Sequence, residues 1–350
     1  MKIAIISVTN NGAYLSEKIA QNFNNVDIFV KKGRNPLKYG QEYESLQHLV
    51  AKIFQSYDGL IFVMAAGIVV RVIAPHILDK RTDPAVIVAD EAGINVISLL
   101  AGHIGGANDL TRLIASNISA SPVITTATDV AGKPAADILA VKLGLAFDPF
   151  DNLKKANAAL ANNEHVDFFL DYTLSKSAWY SEQAAILGVK ICDLATLHES
   201  DHAFSVIITD RAIKVKSQHL FLRPPTLAIG IGCRRGTSKQ EISDAIDTAC
   251  QIAGKSKKSI CIIGSTTLKS DEQGLLDTSE ELNVPIKFYT NDEIKSTIEK
   301  HNLDISSFVN DKIGVGNVCE ATAILASQNS KILLPKSKFG RVTVAIVQAK

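Results

Sequence analysis

The sequence has almost no net charge. Across 350 residues, 37 Lys plus Arg face 36 Asp plus Glu, leaving +1. That balance argues against a whole-body attraction to nucleic acid or an anionic membrane. It also holds locally: residues 1–150, 151–224 and 225–350 carry net charges of 0, −1 and +2. Cysteine is scarce. Cys192, Cys233, Cys250, Cys261 and Cys319 are an odd number, widely spaced, with no C-x-x-C pair. A disulfide framework and a structural zinc site are therefore not expected, and a reducing cytoplasmic location is. Long hydrophobic runs are missing too. The apolar run from Gly59 stops at Arg71 after twelve residues, too few to cross about 30 Å of hydrocarbon as a helix. The start, Met1 to Val8, lacks the length and cleavage site of a signal peptide. With 46% hydrophobic residues, the chain has ample material for a core, which argues against disorder.

Strand and helix signals alternate. In the first 150 residues, strands are expected at 2–8, 26–30, 58–64, 86–89, 95–99 and 122–127. Helices are expected at 12–23, 42–54, 107–117 and 134–143. Such βαβα order implies a mostly parallel, doubly wound sheet. Residues 151–224 differ, with one helix and two short strands before the Pro224–Pro225 pair, and read as a small linking module. From 225 to 350 the alternation restarts and ends in an antiparallel hairpin. The expected fold is α/β: two α/β domains with mostly parallel sheets, 1–150 and 225–350, joined by the middle module 151–224.

Polar residues within apolar alternation mark the candidate chemistry. Met64 to Arg71 runs from a buried strand through small residues into a helix. Gly67 lets a ligand approach the backbone, and the helix start suits an anion; tight strand–helix packing explains the same residues. Pro75 to Pro84 gathers His76, Asp79, Lys80, Arg81 and Asp83. It is either an acid–base and anion-binding cluster or a turn with local ion pairs. Leu100 to Arg112 places His103 among Gly102, Gly105 and Gly106, just before a helix that carries Asn108, Asp109 and Arg112. His103 can transfer protons near pH 7, with Asn108 or Asp109 orienting it or touching substrate. Arg112 shares a helix face with Asn108.

Gly230-Ile231-Gly232-Cys233-Arg234-Arg235-Gly236-Thr237 follows a strand and opens a helix. Its N–H groups and two arginines suit carboxylate or phosphate. The spacing is neither a dinucleotide fingerprint nor a P-loop. Thr237 or Ser238 serves as N-cap, with Glu241 completing a capping box. Cys233 reads as a small buried residue or, beside two arginines, as an acidified thiol. Glu320, in the first turn of a helix after a glycine turn, favours the helix dipole or touches substrate.

Together these segments resemble the cobalt-precorrin-5A hydrolase family. The carriers are 64–71, 79–86, 100–108, 230–237 and 317–321, in the family's order over nearly the whole chain. The resemblance implies a cobalt-containing, ring-contracted corrinoid substrate with a lactone on ring A, in anaerobic cobalamin biosynthesis. Water opens the lactone, and the extruded bridge carbon leaves with its methyl as acetaldehyde, giving cobalt-precorrin-5B. No cofactor or protein-bound metal is implied, because the cobalt belongs to the substrate.

On this reading His103 acts as base, oriented by Asp109 or another carboxylate. Gly102, Gly105 and Gly106 form a close-approach loop, with Gly67 and Gly232 in similar roles. Arg71, Arg81 and Arg112 anchor substrate carboxylates. Arg234 and Arg235 close over the substrate from the other domain, and Asn108 and Glu320 complete the substrate contacts. Neighbouring precorrin methyltransferases are expected partners, and nucleic acid and membrane are not. Two other readings are a non-enzymatic corrinoid carrier or scaffold and a nucleotide-dependent α/β enzyme. The first predicts binding without acetaldehyde release; the second requires a nucleotide fingerprint that the sequence lacks.

Overall fold

A computed structural model describes residues 1–126, 129, 135–199, 204–305 and 315–350. Contacts divide the chain into two compact units, Met1–Val141 and Lys142–Lys350. Ala127, Pro134 and Gly314, which belong to an expected strand, helix and glycine turn, lie outside the described residues.

In the first unit the elements run β1 (Ile3–Ser7), α1 (Asn10–Ala20), β2 (Val26–Lys31), β3 (Gln41–Tyr43), α2 (Leu46–Ile53), β4 (Gly59–Val63), α3 (Ala66–Ile73), β5 (Ala85–Ala89), β6 (Asn95–Leu100), α4 (Ala107–Ile118), β7 (Ser121–Val123) and α5 (Ala136–Leu143). The sheet order is β3-β2-β1-β4-β5-β6-β7. All neighbours pair in parallel except β5 and β6, which form an antiparallel pair with Val86 opposite Leu100 and Ala89 opposite Val96.

The alternation of β1 feeds two cores. Ile3 and Ile5 pack with α1 and α4 through Ala13, Ile19, Leu110 and Ile114. Ala4 and Ile6 pack with α2 and α3 through Val50, Ile53, Val69 and Val72. Covered on both faces, β1, β4 and β5 are buried at every position, which is why they read as unbroken apolar runs. The expected helix 42–54 is shorter, because Gln41–Tyr43 pairs with β2 at the sheet edge.

The second unit holds two sheets. The first contains β8 (Ala146–Asp148), α6 (Asp151–Ala161), β9 (Val166–Leu170), α7 (Ser177–Ile186), β10 (Ile191–Asp193), β11 (Phe204–Ile208) and β12 (Gln218–Arg223), in the order β10-β9-β11-β12-β8. Only β8 runs antiparallel. The linking segment is thus a five-stranded α/β sheet, with more regular structure than its sequence shows.

The last sheet follows with β13 (Leu227–Cys233), α8 (Lys239–Ile252), β14 (Ile260–Thr266), α9 (Gln273–Leu282), β15 (Ile286–Tyr289), α10 (Asn291–His301), α11 (Val318–Ser327), β16 (Ile332–Phe339) and β17 (Val342–Gln348). Its order is β15-β14-β13-β17-β16, closing on the expected antiparallel hairpin.

Buried charge joins the two sheets. Asp210, 3% exposed, accepts from Lys255 Nζ at 2.6 Å and from Thr226 Oγ1 at 2.8 Å, and its carbonyl accepts from Ser256 N. Arg223, also buried, bonds Asp148 at 2.9 Å and the carbonyls of Thr209 and Arg211. The bonds of Asp210 therefore bridge the Pro224–Pro225 junction, while those of Arg223 fix the end of β12 within its own sheet.

Candidate functional site

Strand direction decides where the loops go. Residues 64–66 leave β4 at its carboxyl edge, the usual ligand position in such sheets. His103 follows β6, which runs opposite to β5. The His103 loop therefore lies at the other edge of the sheet, where the segment 75–84 enters β5. The three loops do not gather at one carboxyl edge, as simple alternation implies.

Because β6 and β7 run parallel, the segments that follow them emerge together, and this assembles a polar cluster. His103 Nε2 lies 2.5 Å from Asp129 Oδ2, and His103 Nδ1 lies 3.0 Å from the Asp137 carboxylate. Asp137 stands in the first turn of α5. Asn108 Nδ2 donates to Asp129 Oδ2 at 2.9 Å and to Thr126 Oγ1 at 2.8 Å, while Ser98 Oγ donates to Asn108 Oδ1 at 2.6 Å. Arg112 Nη2 donates to Asp129 Oδ1. The side chains of His103, Asp129 and Asp137 are 7%, 9% and 8% exposed, whereas Arg112 is 48% exposed.

Burial works to lower the His103 pKa, but hydrogen bonds and charge from Asp137 and Asp129 outweigh it and hold the pKa above the ordinary histidine value. Burial works to raise the pKa of Asp129, but its bonds from His103 and Arg112 hold it below the usual carboxylate range.

The glycines here serve packing. A Cβ on Gly102 would lie 2.9 Å from Asn108 Oδ1, and one on Gly105 would lie 2.5 Å from the Ala101 Cβ. Gly106, at φ +82°, is the left-handed N-cap of α4.

Of the expected residues, His103, Asn108 and Arg112 come together. Asp109 does not orient His103. Its side chain is 60% exposed and accepts from Arg112 at 3.2 Å. One turn of helix aims Asn108 and Arg112 inward at Asp129 but leaves Asp109 outside. The carboxylates that hold the ring, Asp129 and Asp137, escape the sequence reading because they lie 26 and 34 residues away. Their only sequence signal is an acidic residue after a strand and another at a helix start.

Around Arg81, the segment 75–84 is a turn that satisfies itself. Arg81 forms two bonds of 2.8 Å to Asp79, and buried Asp83 accepts from Leu78 N. His76 packs against Phe54. At the opposite sheet edge, Met64, Ala65, Ala66, Val88, Asp90, Asn95, Ile97 and Val123 line a cleft of about 390 Å³. The start of α3 at Ala65 has no side-chain cap. Gly67 has open space where a Cβ would stand, and Arg71 is exposed in the last turn of α3.

In the last sheet, the expected anion site is largely filled by the protein itself. Ser238 and Glu241 form the capping box, and Gly236 N donates to Glu272 at 2.7 Å. Arg235 bonds Asp271 at 2.9 Å and the Leu268 carbonyl at 3.0 Å. Arg234 is exposed. A Cβ on Gly232 would lie 2.7 Å from Thr343 Oγ1. Glu320 is buried and accepts from Lys336 N at 2.6 Å and from Asn317 Nδ2, so it anchors a loop. Burial pushes the Cys233 thiol up to about 11, which removes the acidified-thiol reading. Among the described residues, no group of three or more His, Cys, Asp or Glu is placed to hold a metal ion. No helix among them is long and apolar enough to cross a membrane.

Known proteins carry related sequence along its length. Residues 48–129 match the family Cobalamin synthesis G N-terminal, 134–224 match Cobalamin biosynthesis central region, and 227–347 match Cobalamin synthesis G C-terminus. The cobalt-precorrin-5A hydrolase of Priestia megaterium is 33% identical, with 98% of this chain and 94% of that protein covered. That of Salmonella typhimurium is 37% identical, with 79% and 78% covered. A cobalamin biosynthesis protein G homolog from Sulfolobus solfataricus, known as a crystal structure, is 21% identical with a TM-score of 0.37, covering 100% of this chain and 97% of that one. With likeness of this extent in all three parts, the chain belongs to the cobalt-precorrin-5A hydrolase family.

Proposed function

We propose that this protein hydrolyses cobalt-precorrin-5A: water opens the ring-A lactone, acetaldehyde is released, and cobalt-precorrin-5B remains. The observation that carries this reading is the 33% identity over 98% of the chain to a hydrolase of that name. The substrate is a polycarboxylate, and a near-neutral chain must bind it through a few placed cations. Arg71 is exposed and suits that role; Arg81 joins it only by sharing or leaving Asp79, and Arg112 only by sharing or leaving Asp109 and Asp129. In the second unit Arg234 is exposed, while Arg235 is held by Asp271. Gly67 lies on an open backbone stretch that a flat macrocycle can approach.

Lactone opening needs an activated water and a stabilised oxyanion, and the carbon–carbon cleavage needs a proton acceptor and an electron sink. The substrate's own cobalt macrocycle is the sink, and no further cofactor enters the proposal. His103 handles protons, held by Asp129 and Asp137 in place of Asp109. The working parts are the seven-stranded sheet of the first unit and the two five-stranded sheets of the second, the first boundary falling before β8 and not at residue 150, in a cytoplasmic enzyme that exchanges corrinoids with neighbouring methyltransferases. The test is anaerobic incubation with cobalt-precorrin-5A, trapping acetaldehyde and weighing the corrinoid. A product that has lost no carbon refutes the assignment.

A further inference from the structure

His103 offers two ring nitrogens to two carboxylates, Asp129 at 2.5 Å and Asp137 at 3.0 Å. An ionised carboxylate only accepts hydrogen bonds, and a neutral imidazole has a single N–H. With a neutral ring and two carboxylates, one of these contacts would set lone pair against lone pair. The geometry needs a second proton, on the ring or on a carboxyl group.

Charge balance agrees. The three side chains are at most 9% exposed, and an unpaired buried charge is costly. With the second proton present, imidazolium and the Arg112 guanidinium balance the two carboxylates; without it, one carboxylate is left over. The groups facing the ring are Asn108 and Arg112 of α4, Asp137 of α5, and Thr126 and Asp129 after β7, with Ser98 of β6 behind Asn108 and Asp109 outside on Arg112.

We infer that Asp129, His103 and Asp137 together hold one proton more than a neutral imidazole and two carboxylates, and that this proton visits one substrate oxygen and returns. The inference rests on the hydrolase reading for the identity of that oxygen. At rest the proton is on the ring, because Asp129 accepts from Asn108 and Arg112 as well. It leaves through Asp129, the member bonded to half-exposed Arg112.

In lactone opening, the oxygen of water bonds to the acyl carbon, and both of water's protons go to solvent, one on attack and one as the new carboxyl group ionises. The C–O pair passes to the leaving oxygen, which takes the triad's proton and becomes the hydroxyl of the bridge carbon. In the second step that hydroxyl returns its proton to the triad. Its O–H pair becomes the C=O bond of acetaldehyde, and the C–C pair passes into the macrocycle, which takes a proton from solvent. No oxidant or reductant is needed, and the triad ends as it began. Asp137, on the far side of the ring, is a positioning residue that keeps the ring protonated.

The test combines nitrogen-resolved NMR of His103 in the ligand-free full chain with pH profiles of acetaldehyde release. Both ring nitrogens should remain protonated above the pH at which ordinary histidines titrate. Asp137→Asn should move the alkaline limb of kcat to lower pH and leave KM unchanged. His103→Gln should lower kcat by about 100-fold or more, with little change in KM. A ring that carries a single proton at neutral pH in the wild-type protein overturns the inference, as does an alkaline limb unmoved by Asp137→Asn. If the wild-type protein releases no acetaldehyde, the catalytic step falls with the hydrolase reading, while the NMR signal still decides the proton count.

Discussion

Gly230 passes so close to Cys319 that a Cβ on the glycine would lie 1.8 Å from the cysteine's carbonyl oxygen. The same helix, α11, meets β14 at Gly264, where a Cβ would stand 2.4 Å from the Thr322 carbonyl. The G-x-G segment of β13 therefore owes Gly230 to helix–sheet packing. Because the opposing atoms are backbone, they cannot move aside as a side chain can. Gly230→Ala should destabilise the Lys142–Lys350 unit by about 3 kcal/mol or more, read as a lower denaturation midpoint. A midpoint unchanged by the extra methyl would show that α11 does not press on β13 in this way.

The Asp210–Lys255 pair predicts a second stability effect. Lys255→Met leaves the Asp210 carboxylate, 4% exposed at its side chain, bonded to Thr226 but without its hydrogen-bonded cation. Removing one partner of a buried pair costs about 3 kcal/mol. Denaturant unfolding should show that loss, and Lys255→Met combined with Asp210→Asn should recover part of it. A double variant no more stable than the single one would separate the two residues energetically.

The triad makes stability depend on pH in both directions. The His103 pKa is raised in the fold, so its contribution is complete below about pH 6.5, the unfolded histidine value, and is lost as pH rises through the folded value. The Asp129 pKa is lowered, so its contribution is present above about pH 3.9 and is lost as pH falls through the folded value. Calorimetry of the wild-type chain should show melting temperature falling on both sides of a plateau. In His103→Gln the alkaline fall attributable to the ring should disappear, and an identical alkaline slope would deny the ring its role.

Thiol chemistry gives a fourth check. Burial pushes Cys233 and Cys319 up to about 11 and Cys250 up to about 12. Since the thiolate is the reactive form, iodoacetamide at neutral pH should leave these three unlabelled in the native chain and label them after unfolding. Rapid native labelling of Cys233, read by peptide mapping, would restore it as a reactive residue.

Much of the fold was legible because its signals are local. Buried strands such as Gly59–Val63 show as apolar runs, and Ser238 with Glu241 announces the start of α8. The short strands Gln41–Tyr43, Ala146–Asp148 and Ile191–Asp193 were not legible. Three residues carry too little periodicity, and each strand exists because a neighbour supplies its hydrogen bonds. At the site, His103, Asn108 and Arg112 stood out as polar residues on a glycine-rich turn and one helix face. Asp129 and Asp137 did not, since nothing local distinguishes them from a loop acid and a helix-start acid.

The sequence by itself determined the α/β alternation, the lack of any strongly charged body, and the family resemblance, all properties of composition and local order. Only the tertiary structure decided that β6 runs against β5, which sends the His103 loop to the edge opposite residues 64–66. Only it decided that the ring is shared by Asp129 and Asp137 while Asp109 faces outward. The physical reason is that strand direction and the meeting of residues 26 to 34 positions apart depend on which surfaces bury one another, and no short stretch of sequence records that.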